Sequence, residues 1–182
     1  MKIFSRKLLK DYLFIFCLFL CSNYAFAGSH AGDVPKSGNF AQLSSTQNQA
    51  PGIGTQTVIL ENVNHLFGLK VNPSHKKIIV QEPGLYFIMA NGRIGSKAVS
   101  LLGSANLFIK HNGTILPNSQ ASYTSQNRIM ATNVISQAVW FLQKNDYISV
   151  GISSDSPNIG LLSSPSTGGD IPSITLTMFK IR

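Results

Sequence analysis

The chain has 182 residues, a formal net charge of +8, 43% hydrophobic residues and two cysteines. By length it is one domain, large enough to bury a hydrophobic core. Both cysteines fall in a leader segment and the basic residues beyond it are scattered. A disulfide framework, a thiol nucleophile and a basic nucleic-acid surface are therefore excluded for the remainder.

The leader comes first. Lys2, Arg6, Lys7 and Lys10 precede an apolar run over residues 12–20, and Ala25-Phe26-Ala27 follows. A positive start, a short apolar run and small residues at two alternate positions are the three parts of a secretory signal peptide, with cleavage expected after Ala27. The run is too short to span a bilayer, which takes roughly 20 residues as a helix, so no stable membrane span is expected. Leu20 before Cys21 opposes a lipoprotein site. Cleavage leaves eleven basic and six acidic residues, a mild +5, with only Lys76-Lys77 adjacent.

Residues 28–54 are rich in Gly, Ser, Ala, Gln and Asn, and their few apolar residues have no period. The segment is expected to be a flexible lead-in, with Phe40 able to dock locally. From residue 55 onward, strand follows strand. Residues 57–60, 65–71, 77–80, 85–90 and 105–110 are apolar and β-branched, with turns at Asn72-Pro73, Pro83-Gly84 and Asn112-Gly113. Asn-Gly accepts positive φ at both central positions, which is the two-residue hairpin signal. Residues 133–142, 147–152 and 173–181 add three more strands. No window carries a helical stripe, and Glu occurs only at positions 61 and 82. Eight to ten short strands with regular turns predict an all-β sandwich or barrel. The apolar last strand is expected to lie centrally in a sheet. Residues 151–172 read as one long Ser/Pro/Gly loop, either of the functional or mobile kind or a tolerated surface excursion.

The chemistry of enzymes is not signalled. The four histidines are at least ten residues apart, and no zinc-binding spacing or nucleophile elbow occurs. Asp155, Asn158 and Asp170 lie in the long loop and are the candidate ligand-binding residues. With backbone carbonyls, Asp155 and Asp170 offer oxygens of the kind calcium takes. No other cofactor is implied.

Residues 82–88 read Glu-Pro-Gly-Leu-Tyr-Phe-Ile, and Ile78 precedes Gly84 by six positions. Asn62 and Phe67 lie upstream. Residues 105–113 run into Asn112-Gly113, residues 142–150 read Leu-Gln-Lys-Asn-Asp-Tyr-Ile-Ser-Val, and residues 173–178 close the chain. In this order the segments resemble the C1q/tumour-necrosis-factor-like family. Gly84 and Tyr86 match its Gly-x-Tyr-x-Phe pattern, with Ile88 in place of Phe. Asn145 replaces a Gly in its Leu-x-x-Gly-Asp segment, a swap that keeps tolerance for positive φ. Ile78 replaces a second Phe, and extra residues separate it from Phe67. No collagen-like stalk precedes the domain. The resemblance spans about residues 56–182.

It implies a ten-stranded jelly-roll β-sandwich over residues 55–182 that assembles as a homotrimer and recognises proteins, glycans or other surfaces. Tyr86 matches a position near the family's subunit contacts, which makes it the interface candidate, with a plain core tyrosine as the alternative. The expected protein is a secreted or periplasmic, non-enzymatic recognition or adhesion protein, a bacterial C1q-like protein. Its partners would be itself and a host or neighbouring-cell surface protein or glycan. An envelope or matrix protein using the domain to trimerise, and an exported polysaccharide-active enzyme, are the competing expectations.

Overall fold

A computed structural model describes residues 38–97, 102–125 and 131–182. They belong to one compact unit, Ser37–Arg182. The expected signal peptide, its cleavage site and residues 28–37 lie outside the described residues.

The chain is all-β, built as two antiparallel sheets. Sheet A holds β1 (Phe40–Ser45), β3 (Asn62–Phe67), β6 (Gly84–Ser96), β10 (Thr132–Leu142), β12 (Ile159–Leu161) and β13 (Ile174–Lys180). Its order is β10-β6-β13-β1-β3, with β12 also paired to β6. Sheet B holds β2 (Gly54–Thr57), β4 (Leu69–Val71), β5 (Ile78–Val80), β7 (Ser104–His111), β8 (Thr114–Ile115), β9 (Ala121–Thr124) and β11 (Tyr147–Ser154). Its order is β4-β5-β11-β7-β8, with β2 on β11 and β9 on β7.

Alternation sorts each strand into a core face and an outer face. Tyr86, Ile88 and Ala90 of β6 and Leu176 and Met178 of β13 point inward from sheet A. Leu107 and Ile109 of β7 and Ile148, Val150 and Ile152 of β11 meet them from sheet B. Full burial of one such side chain is worth about 1.5–3 kcal/mol, so this single layer holds the sandwich together without a disulfide. Turns form where the sequence puts them. Asn112 and Gly113 take φ of 49° and 88° between the paired β7 and β8, and Asn145 takes φ 71°. The closing strand β13 sits between β6 and β1, as its apolar character implies.

Two boundaries differ from expectation. Residues 40–45 are no flexible lead-in: β1 is a central strand of sheet A, in register with β13 from Phe40↔Phe179 to Ser45↔Ile174. Its own composition hides this because Ala41 and Leu43 are the only apolar residues on its core face, yet both are buried. The loop of residues 151–172 is also shorter. β11 continues to Ser154, and Ile159–Leu161 is a buried strand on β6.

Candidate functional site

Register brings distant residues into rows. On the outer face of sheet A, Val139 of β10 faces Phe87 of β6, Phe87 faces Phe179 of β13, Phe179 faces Phe40 of β1, and Phe40 faces Phe67 of β3. One apolar row thus crosses five strands, about 19 Å from four strand spacings of about 4.8 Å. The rings touch: Phe87 and Phe179 have centroids 5.2 Å apart, and Phe40 and Phe67 stack at 6.1 Å, both within the range of favourable aromatic pairs. Beside this row Phe141 faces Leu85. Val139, Phe141, Phe179 and Phe67 are 51%, 55%, 42% and 43% exposed. Apolar groups grouped like this leave water when another surface covers them. Arg93, at the far end of the same face, turns its guanidinium to the Leu162 carbonyl. Asn91, also on this face, has a buried Oδ1 without a partner.

The outer face of sheet B is polar. Thr55 of β2 faces Ser153 of β11, Ser153 faces Asn106 of β7, and Asn106 faces Ser122 of β9. Next to this row Phe108 lies over Gly151, where a Cβ would collide with the ring. At the row's end Asp155 clips β11 to β7: its Oδ1 accepts the Ser104 N–H at 2.6 Å and its Oδ2 accepts the Ser104 hydroxyl at 2.7 Å. The two bonds hold the Asp155 carboxyl below the ordinary range. Thr55, Ser153, Asn106, Ser104, Asp155 and the exposed Ile53 line an open cleft of about 370 Å³.

A second carboxylate ties the opposite end of sheet B. Asp146 accepts from Asn112 Nδ2 at 2.8 Å and from Gln143 N at 2.8 Å, and lies 2.9 Å from His111 Nε2. Burial alone would raise its pKa, but the hydrogen bonds from Asn112, Gln143 and His111 outweigh that and hold it below the ordinary value.

The residues singled out from sequence scatter. Tyr86 is fully buried; its hydroxyl donates to the Glu82 carbonyl and accepts from Asn39 Nδ2, both at 2.9 Å. It is the core tyrosine of the two alternatives, because a side chain without exposed surface offers nothing to a neighbour. Asp155 lies in the cleft. Asn158 is a turn residue whose carbonyl accepts Lys97 N. Asp170 is exposed beside the bridge Ser164↔Ile171. Among the described residues no group of three or more His, Cys, Asp or Glu side chains gathers to hold a metal. Sequence reasoning missed Thr55, Asn106 and Ser153 and the aromatic row, since these meet only through strand pairing.

No family model matches the chain, and no curated protein matches it. Solved structures do. The chain is similar to murine APRIL at pH 8.5, with TM-score 0.51 and 16% identity over 80% of this chain and 100% of that one. It is similar to the globular domain of zebrafish complement 1qA protein, with TM-score 0.53 and 11% identity over 79% of this chain and 98% of that one. At these identities the likeness concerns the fold, and the fold is the C1q/TNF-like jelly-roll sandwich. Among the described residues no helix is long and apolar enough to cross a membrane.

Proposed function

We propose that this is an exported, non-enzymatic binding protein that assembles as a homotrimer through the outer face of sheet A and turns sheet B outward to its ligands. The aromatic row carries the reading. Val139, Phe87, Phe179, Phe40 and Phe67 form a surface that gains about 25 cal/mol for each Å² taken from water. Three copies meeting on it would bury it and bring the unpartnered Asn91 Oδ1 to a possible donor. The resemblance of residues 56–182 to a family of homotrimers supports the same copy number. Trimerisation then multiplies a weak single-site affinity.

The test is the solution mass of the protein from Gly28 to Arg182 by light scattering, with and without calcium. Three times the chain mass under both conditions is expected. A monomer at micromolar concentration would remove the assembly and the multivalent mode of binding with it.

A further inference from the structure

We propose that the cleft on sheet B binds the sugar ring of a neutral glycan, with Asp155 and Asn106 as the paired acceptor and donor. The inference rests on reading the protein as a binder but does not need the trimer.

The wall chemistry selects the ligand class. Among the described residues no Lys, Arg or His lines the cleft, and its one carboxylate is held ionised, so an anion is repelled. One carboxylate without a second is a poor cation site. A peptide that adds as a strand needs a free sheet edge. Here β11 already pairs with β2 and β7, and β7 with β11 and β9, so the two strands on the cleft floor offer no free edge. What is offered is side-chain hydrogen bonding. Each Asp155 oxygen takes one bond from Ser104 and keeps a lone pair for another. Asn106 Oδ1 accepts the Ser122 hydroxyl at 2.6 Å, which fixes the amide with Nδ2 directed to donate. Thr55 and Ser153 add hydroxyls in the same row. Ile53, 78% exposed, sits at the rim as an apolar contact. A pyranose ring presents this combination in reverse: hydroxyls that both donate and accept, and an apolar C–H face. The Ser104 clip fixes Asp155 before the ligand arrives, which lowers the ordering cost. The cleft lies on the opposite side of the sandwich from the aromatic row, so assembly leaves it open.

The experiment is a titration of the isotope-labelled protein, followed by amide NMR, with the methyl glycosides of glucose, mannose, galactose and N-acetylglucosamine. Glycerol serves as the acyclic control. At least one glycoside is expected to give saturable shifts centred on Thr55, Ser104, Asn106 and Ser153, and glycerol none. Asn106→Ala and Thr55→Val should each weaken that binding at least about threefold, the loss of one neutral hydrogen bond. Thr55 makes no side-chain hydrogen bond inside the fold, so its variant keeps the test free of misfolding. No saturation by any glycoside, shifts that centre elsewhere, or binding indifferent to both substitutions would overturn the proposal. Light scattering on the same samples separates the two ideas: a trimer without sugar shifts overturns the cleft alone, and a monomer that binds sugar overturns the trimer alone.

Discussion

The outer face of sheet A lines up Val139, Phe87, Phe179, Phe40 and Phe67, whereas the outer face of sheet B lines up Thr55, Ser153, Asn106 and Ser122. Both rows arise in the same way, from direct cross-strand register in antiparallel sheets. They differ in what water does with them. The first row leaves apolar rings exposed and gains by being covered. The second is already solvated and gains only from a partner that replaces water bond for bond. The two carboxylates that clip sheet B, Asp146 and Asp155, are both held below their ordinary pKa. One sandwich thus carries an apolar outer side and a polar one, and each can be altered separately.

The largest effect is expected from removing β1. Starting the chain at residue 55 removes Phe40 from the sheet A row, leaves β13 with a bare edge and takes away the strand on which β3 pairs. The loss should exceed the about 5–15 kcal/mol that holds a domain folded. Circular dichroism should then find no cooperative thermal transition; a sharp one would mean that β1 is dispensable.

Next is Phe179→Asp, which puts a charge in the centre of the row. Phe179 is 42% exposed in the single chain and pairs with the Phe87 ring, so the fold should survive with a loss of about 1–3 kcal/mol. Burying an unpaired charge between copies is costly, and the proposed trimer should dissociate at least about a hundredfold more readily, about 2.7 kcal/mol. Sedimentation velocity reads this directly. An intact trimer would move the interface away from sheet A.

The smallest effect concerns acid. The Asp146 carboxyl has a folded pKa below its unfolded one. Its stabilisation is therefore present above the unfolded value and lost as pH falls through the folded one. The stability difference between the wild type and Asp146→Asn should shrink as pH falls below the ordinary aspartate value of about 3.9, as followed by urea unfolding. A constant difference would mean that the clip is not electrostatic. Because the aromatic row contains no carboxylate, the solution mass of Asp146→Asn should match the wild type throughout.

Much of this was legible in the residues. Alternating Val, Ile, Leu and Phe between Asn-, Gly- and Pro-rich turns dictates strands, because a period of two fits only an extended chain with one buried face. Positive φ at Asn112, Gly113 and Asn145 follows from residue types that tolerate it. The centrality of β13 follows from its apolar content. Only the tertiary structure decided the rest. β1 is a strand because β13 and β3 offer it two edges, which Ala41 and Leu43 could not announce alone. Tyr86 is buried because Asn39 and Glu82 satisfy its hydroxyl from elsewhere in the fold. The two rows draw on positions 40 to 179 and 55 to 153. Local sequence sets which face a side chain takes, but long-range pairing sets which side chains become neighbours.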